Sequence, residues 1–417
     1  MASVFKTFLN NDITTTRTLL HENIPITGSL LSGSYTLKNT SRGEVFGSDQ
    51  NIKKFTHGHF ISVYDYPYLS SSANHIMDIT AGFSSVSAFS SSATIQQKKK
   101  INVYNQMAQI LMGHDVNGNI QRFDRDGDLV GGVKINEAVF FNFSRLLVKD
   151  EIKKGSFTME FGVSASGSLA SATGTGTAFL SRVRVADTNA ASSFFVNSPT
   201  GEYGILTASN STAKTTAGVG PLAAPEDKKD VGLIFYQAGV AVVTASLFVT
   251  ASNASNFGTN SKDNKGLLNH TASQGVGGKV LWNTTGSSNQ GIITSHNMGA
   301  ADRKDIRQAL NSETIANIAD GARQRIYNIS FNNTTELNST IYFCRIGHNE
   351  FNYSSNPTYL NGSKIRVKNE ATDAPRTYIT TVGLYSADNE LLAVAKLSEP
   401  LRKDPSTELT LRVRLDY

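Results

Sequence analysis

The C-terminal end of the chain shows the clearest alternation of apolar and polar positions. In "LTLRVRLDY" the apolar residues Leu409, Leu411, Val413 and Leu415 alternate with polar ones, which predicts a strand with one buried and one solvated face. The preceding "TYITTVGLYSADNELLAVAKL" predicts two strands joined by a hairpin turn at "SADNE". The end of the chain is therefore predicted to be an antiparallel β domain.

Two segments repeat apolar residues at helical spacing. "KKINVYNQMAQILMG" places Ile101, Tyr104 and Leu111 on one face and ends at Gly113, a residue that stops helices. The second segment, "AADRKDIRQALNSETIANIADGARQ", has the same kind of spacing over residues 300–324. It is predicted to be one helix that connects to the last domain.

One apolar run is long enough to be weighed as a membrane span. Gly232 to Val249 is free of charge over eighteen residues, which meets the length criterion. Polar residues at Gln237, Thr244 and Ser246 interrupt it, and β-branched residues dominate. The run therefore predicts buried strands with a turn near Gly239, and no membrane span.

Composition and length extend this pattern to a fold class. Charged residues make up 18% of the 417-residue chain, below the usual quarter, and Ser, Thr, Asn and Gly take their place. The fold predicted is mainly β, with antiparallel sandwich- or barrel-like domains and a few short helices. Because one core rarely serves so long a chain, several domains are predicted: a mixed β domain (1–150), a Gly/Ser/Thr/Asn-rich β domain with long loops (151–299), the connector helix (300–324) and a C-terminal antiparallel β domain (325–417).

Charge and cysteine content narrow the partners. The net charge of +5 is scattered, and the one tight run, Lys98-Lys99-Lys100, is interpreted as a solvated loop, so no nucleic-acid partner is predicted. The single cysteine, Cys344, is expected in a buried strand and cannot form an internal disulfide. No secretory signal is expected from the N-terminal residues, and folding in a reducing cytoplasm fits both features.

Two stretches offer metal-ligand chemistry. His57 and His59, two apart, could share a strand face, with His75 or Asp78 as a third ligand; polar strand residues are the preferred interpretation. The turns between Asp115 and Asp128 ("DVNGNIQRFDRDGD") resemble parts of a calcium loop.

The segment holds two acidic stretches, one starting at Asp115 and one at Asp124, and a pair of hairpin turns explains both without an ion. The first stretch also departs from a calcium loop, because Ile120 stands where the sharp turn needs glycine. No metal ligand and no cofactor is predicted, and the question of calcium in these turns stays open. No nucleophile elbow occurs, and the glycine pairs lack the residues of a phosphate loop. The chain is therefore predicted not to be an enzyme.

A loop rich in aromatic residues is the candidate site. "HNEFNYSSNPTYLNG" sets Phe351, Asn352, Tyr353 and Tyr359 among serines and asparagines, between strand patterns. Such residues supply rigid area and adaptable hydrogen bonds at protein interfaces. The alternative is that the aromatic rings fold back as a small core beneath the loop.

Longer phrases carry a family resemblance. "GHNEFNYSSNPTYLNGSKIRVKN", "LRVRLDY", "FTHGHFISVYDYPYLSSSANHI" and "NEAVFFNFSRLLVKDEIKKGSF" resemble segments of virion structural proteins of contractile-tailed bacteriophages of marine and freshwater bacteria. The resemblance implies a baseplate, tail or neck component that is assembled in the host cytoplasm. Its implied partners are other virion structural proteins and copies of itself in a symmetric ring. The alternative is a receptor- or carbohydrate-binding fibre protein of the virion, which the single tryptophan, Trp282, disfavours.

Overall fold

The fold is known from a computed structural model, and as predicted it is mainly β with antiparallel pairing and a few helices, three α-helices among the described residues. The structure describes residues 5–27, 36–39, 44–47, 51–91, 94–147, 151–163, 182–211, 222, 229–249, 267–268, 306–354, 360–361, 364–365, 370, 372 and 374–416. The chain forms two compact units, here called the terminal unit (Met1–Leu20 with Glu336–Tyr417) and the central unit (His21–Thr335). The domain boundaries at 150, 299 and 324 stay predictions.

The elements follow the chain in a simple order. The first strands and the first helix are β1 Ile13–Thr27, β2 Thr36–Asn39, β3 Glu44–Gly47, β4 Ile52–Lys54, β5 Ile61–Tyr64, β6 His75–Phe83 and α1 Ile95–Leu111. The middle strands are β7 Glu137–Asn142, β8 Glu151–Ile152, β9 Thr158–Gly162, β10 Arg182–Ala186, β11 Phe195–Ser198, β12 Gly201–Asn210, β13 Lys229–Phe235 and β14 Val240–Thr244. The last elements are α2 Ile306–Ser312, α3 Ile315–Arg325, β15 Ile326–Ile346, β16 Leu360–Asn361, β17 Lys364–Ile365, β18 Thr377–Tyr385, β19 Leu391–Lys403 and β20 Leu409–Asp416.

A large antiparallel sheet organises the central unit. Its path runs β15-β9-β10-β12-β13-β14-β7-β6-β5-β4, with β8 added to β15 and β11 to β12. The path is open, and the described strands do not close into a barrel. Of the two forms that the fold prediction allowed, the open sheet agrees with the sandwich and not with a closed barrel.

Both faces of the middle strands of this sheet are buried. Alternate residues of β7 enter two different apolar clusters: Phe140 packs with Tyr104 of α1, whereas Val139 and Phe141 share a cluster with Ile318 of α3. Strands buried on both faces need apolar residues at consecutive positions, and every residue of β14 is buried. Double-sided burial explains the uninterrupted apolar run that the sequence shows here.

That run forms two strands, as predicted. Strands β13 and β14 pair antiparallel, and Gly239 turns the chain between them with φ +65°. A 3-10 turn over Ala245–Phe248 completes the segment. Among the described residues, none of the helices has both the length and the apolar character that crossing a membrane requires.

Helix α1 forms where the spacing of apolar residues predicted a helix. The hydroxyl of Thr94 caps its N-terminus, and Gly113, with φ +78°, follows its C-terminus. It lies so close to β6 that a Cβ at Gly82 would stand 2.5 Å from the Lys100 carbonyl.

The interpretation of Lys98-Lys99-Lys100 as a solvated loop is wrong, because the run lies inside α1. The side chain of Lys100 is fully buried, and its ammonium donates to the Leu310 carbonyl at 2.6 Å. Burial lowers the pKa of Lys100 to about 8. Lys100 therefore forms a hydrogen bond inside the central unit and is not exposed to solvent.

The single helix predicted over 300–324 is two helices in its described part. Helix α2 ends at Ser312, and the hydroxyl of Thr314 caps α3 by accepting the Asn317 N–H at 3.2 Å. Thr314 has an extended backbone, which an uninterrupted helix cannot contain. Both helices still bury apolar residues in the same cluster, including Leu310 and Ile318.

A buried carboxyl group makes the stability of the central unit depend on pH. Glu137, at the start of β7, is 2% exposed and accepts a hydrogen bond from the Ser87 hydroxyl. Burial raises its pKa from 4.5 to about 7 in spite of that bond. The folded state therefore holds the proton more tightly than the unfolded state does, so this contribution is complete below pH 4.5 and is lost as the pH rises through about 7.

We expect Glu137→Gln to flatten this part of the pH profile. The amide still accepts from Ser87 and cannot ionise, so the loss of unfolding free energy between about pH 5 and about pH 8, up to about 3 kcal/mol in the parent, should shrink. Urea unfolding at both pH values measures this difference in unfolding free energy. Glu22→Gln, at an exposed glutamate, is the control, and a Glu137→Gln profile parallel to that of the parent would contradict the assignment.

Candidate protein-contact surface

The predicted aromatic loop is described over residues 347–354, in the terminal unit. A tight turn starts it, because the Glu350 carboxylate accepts the Gly347 N–H at 2.8 Å. The same carboxylate accepts from the Lys6 ammonium, and this bond is the main reason why the pKa of Glu350 is lowered. The N-terminal segment thus helps to fix the start of the loop.

A buried lysine holds the loop from beneath. Lys403, the last residue of β19, is 0% exposed, and its ammonium donates to the His348 carbonyl (3.0 Å), the Asn352 side-chain oxygen (2.7 Å) and the Asp404 carbonyl (2.9 Å). Three acceptors use all three donors of an ammonium group, which makes burial of its charge tolerable. The conformation of the loop therefore depends on β19.

Strand β18 fixes the position of the first aromatic residue. The Thr377 hydroxyl donates to the Phe351 carbonyl at 2.8 Å. Phe351 has φ +52°, a left-handed conformation that is uncommon for a bulky residue and that surrounding contacts must maintain. Its ring is 41% exposed.

The loop residues that the sequence singled out have different surroundings. Tyr353 is 53% exposed, which together with Phe351 presents aromatic area to solvent. Asn352 is partly buried. Its side-chain nitrogen donates a hydrogen bond to the His348 carbonyl, and its side-chain oxygen accepts one from Lys403 of β19. Tyr359 lies outside the described residues. The protein-contact role of all four stays a prediction.

A second apolar surface, which the sequence analysis did not single out, lies on the hairpin of β18 and β19. The two strands pair with each other and, among the described strands, with no other. Large side chains near its turn are about half exposed; these residues, here called the ribbon tip, are Tyr385, Leu391, Leu392 and Val394. A signal was present in the sequence, since "NELLAVAKL" puts apolar residues on both faces of one strand.

The N-terminal segment contacts the ribbon tip through one ring. Phe5 meets Tyr385 edge to face with centroids 4.8 Å apart, a favourable aromatic geometry. Because β18 and β19 pair only with each other among the described strands, the outer edge of each strand has no neighbouring strand to accept or donate its backbone hydrogen bonds. Such edges are templates for pairing with another chain.

The histidine pair does not have the strand geometry that the metal hypothesis assumed. His57 and His59 lie in a turn before β5, not on a strand, with ring centroids 5.2 Å apart beside Phe55 and Phe60. Among the described residues neither belongs to a group of three potential ligands. The expected shared strand face was therefore wrong.

Both suggested third ligands pair with each other. His75 Nε2 lies 2.7 Å from Asp78 Oδ1, which also accepts from the Ser62 hydroxyl. Burial opposes ionisation of Asp78, but the His75 and Ser62 bonds lower its pKa. Serine here contacts the carboxylate and not the imidazole, so this trio lacks the base-to-nucleophile contact that hydrolysis requires.

Cys344 lies in β15 as predicted, but it is half-buried instead of buried. Burial, and then the charge of Asp12, raise the pKa of its thiol. A raised pKa favours the neutral thiol, which is a poor nucleophile.

The two calcium-like stretches differ from each other. Asp115 forms a hairpin turn in which Oδ1 accepts the N–H groups of Asn117 and Asn119, as predicted. Asp124, Asp126 and Asp128 instead bring three carboxylates together.

Comparison with protein-family models, with curated proteins and with solved structures finds no match to this chain. The surfaces just described are therefore interpreted from their own chemistry.

We expect Lys403→Met to loosen the aromatic loop. The substitution keeps the aliphatic length and removes three hydrogen bonds from a charged donor, so the unfolding free energy should fall by at least about 1.5 kcal/mol. Amide hydrogen exchange over residues 348–354 should become faster through local opening, under conditions in which the rest of the chain stays folded. Lys396→Met, at an exposed position on β19, should leave that exchange unchanged, and equal exchange in both variants would argue against the anchoring role of Lys403.

Proposed function

We propose that the chain is a structural component of a tailed bacteriophage particle, in the baseplate, tail or neck, and that it acts by protein–protein assembly and not by catalysis. The observation that carries the proposal is the β18–β19 ribbon with its half-exposed apolar tip. An isolated two-stranded hairpin is at best marginally stable in water. A partner that covers the tip would supply the missing burial.

Burial energies support an assembly with many contacts. Completing the burial of four half-exposed side chains contributes roughly 1 kcal/mol or slightly more for each. That total is only comparable to the lower estimates of the entropy lost when two proteins associate. A single ribbon contact would therefore be weak, whereas copies arranged in a ring bind by avidity.

The aromatic loop adds a second candidate contact in the terminal unit. Phe351 and Tyr353 expose rigid rings on a backbone that Lys403 and Thr377 hold in place. A preorganised loop loses little conformational entropy on binding, which favours affinity. The proposed partners are other virion structural proteins and further copies of this chain.

The resemblance of several sequence phrases to virion structural proteins gives the proposal its biological setting. The low charge of the chain fits surfaces that become covered, because interface cores are depleted of charged residues. The proposed location is the virion, after assembly in the host cytoplasm.

Mass spectrometry of purified particles of the encoding phage tests the proposal directly. We expect peptides of this chain in particles after density-gradient purification, at a constant ratio to the major capsid protein across the particle peak. A phage replication enzyme, followed in the same fractions, controls for carry-over from the lysate. Particles that contain the capsid protein but no peptide of this chain would overturn the proposal.

Substitutions at the ribbon tip test the proposed contact. Leu392 and Val394 are 68% and 52% exposed, so Leu392→Lys with Val394→Lys should leave the isolated chain folded while placing charges in the interface. We expect incorporation into particles to fall at least about tenfold, since a charge buried in a contact without an opposite charge beside it costs several kcal/mol.

Leu69→Lys and Val116→Lys are the matched controls for this substitution. They replace apolar residues of the central unit that are 87% and 102% exposed and should incorporate normally. Normal incorporation of the ribbon variant would show that the tip is not a contact.

A further inference from the structure

A short loop of the central unit gathers three carboxylates. Residues 123–125 and 133–135 form a small ladder, with the Arg125 N–H donating to the Val133 carbonyl (3.1 Å) and the Ile135 N–H to the Phe123 carbonyl (2.9 Å). The loop that this ladder closes carries Asp126 and Asp128, and Asp124 stands at its base.

The spacing of these carboxylates matches one shared ion. A ligand oxygen from each of Asp124, Asp126 and Asp128 lies within 4.8 Å of the other two. Two ligands of one ion can be no further apart than twice the metal–oxygen distance, which is about 4.6–5.2 Å for Ca²⁺ and about 4.2 Å for Mg²⁺. Separations of up to 4.8 Å fall within the range that one calcium ion spans.

One carboxylate oxygen of the group is buried and lacks a hydrogen-bond partner, which is an observation separate from the spacing. Asp124 is 0% exposed, and its Oδ2 is engaged by the Leu129 N–H (2.7 Å) and the Lys134 ammonium (2.7 Å). Its Oδ1 is buried and has no hydrogen-bond partner. Because Oδ2 is occupied, Oδ1 is the oxygen of Asp124 that remains available as a ligand.

Another buried aspartate of the same unit shows what a purely structural role looks like. Asp187 is also 0% exposed, and its oxygens accept from the Gly155 N–H, the Phe157 N–H and the Tyr236 hydroxyl at 2.8–3.1 Å. Leaving a buried acceptor unsatisfied costs about 1–3 kcal/mol, more when it is charged. The free Oδ1 of Asp124 therefore calls for a ligand.

The local charge selects a divalent cation. The three aspartates and Asp230, set against Lys134 and Arg125, leave a net charge of −2 around the loop. A divalent cation between the three groups offsets the repulsion between their negative charges.

We propose that Asp124, Asp126 and Asp128 bind a calcium ion, with Asp124 Oδ1 as the buried ligand and Asp126 and Asp128 as the exposed ones. Backbone carbonyls and water complete the coordination sphere, as oxygen ligands do for this ion.

The backbone of the loop agrees with this assignment. Leu129, in the sixth position counted from Asp124, has φ +65°, the conformation that calcium loops ordinarily give to glycine, and its N–H bonds to the first aspartate. The twelfth position is Ile135, which is buried and supplies no carboxylate. Without that bidentate ligand, an affinity of about 10⁻⁴–10⁻³ M is expected.

Thermal unfolding of the full chain in CaCl₂, at constant ionic strength, tests the site. We expect saturable stabilisation in calcium concentrations up to about 10 mM, and a weaker effect of MgCl₂ at equal concentration. Asp126→Asn with Asp128→Asn, both at exposed positions, should weaken the apparent affinity at least about tenfold, because ligand charge sets it. Asp115→Asn, at the neighbouring hairpin turn, should bind as the parent does.

Terbium luminescence provides a readout that does not depend on unfolding. The Tyr203 hydroxyl donates to the Gly127 carbonyl at 3.1 Å, so a tyrosine ring that can excite Tb³⁺ lies beside the loop. We expect emission from the parent chain that Ca²⁺ competes away and that Tyr203→Phe reduces.

The results separate the possibilities. Calcium-specific stabilisation that the paired asparagine substitutions remove, or emission that calcium displaces, supports the site. A larger effect of Mg²⁺ would overturn the calcium assignment. No stabilisation by calcium together with no displaceable emission, or effects that survive in Asp126→Asn with Asp128→Asn, would overturn the site itself.

Discussion

Burial of both faces of the central sheet is the constraint on which the rest of the central unit depends. It requires β13 and β14 to be apolar at consecutive positions, and it brings α1 against β6 so closely that only glycine fits at position 82. It also means that polar groups drawn into the interior must find partners there. Lys100 bonds the end of α2, and Arg323 bonds Asp320 through two nitrogens at 2.8–2.9 Å.

The terminal unit follows a different principle. Its β18–β19 ribbon carries apolar side chains on two strands that pair only with each other among the described residues. What fixes this unit locally is a set of directed polar bonds from Lys403 and Thr377 to the aromatic loop. Directed bonds hold a backbone in place without covering apolar area, so the loop is fixed while the apolar side chains of the ribbon stay exposed.

The pattern of apolar and polar residues predicted several local elements. Strand β20, the β18–β19 hairpin, the turn at Gly239 and helix α1 all follow from it. Features decided by distant residues did not follow. The break between α2 and α3 could have been predicted from the sequence. The apolar residues Leu310 and Ile315 are five positions apart instead of three or four, and Thr314 is a good N-cap residue. The burial of Lys100 was not readable, since only the fold brings the Leu310 carbonyl to it.

The candidate sites show the same limit in their charged groups. Asp115 and Asp124 each begin an acidic, glycine-containing turn, and in the sequence the two look alike. In the fold, Asp115 is exposed and its Oδ1 is used twice by the N–H groups of its own turn. Asp124 is buried by the ladder and by packing around Phe123, and its Oδ1 faces neither water nor a donor. A carboxylate in water has no need of a metal ion, whereas a buried one with a free oxygen gains from it, so burial and not the motif separates a turn from a binding site.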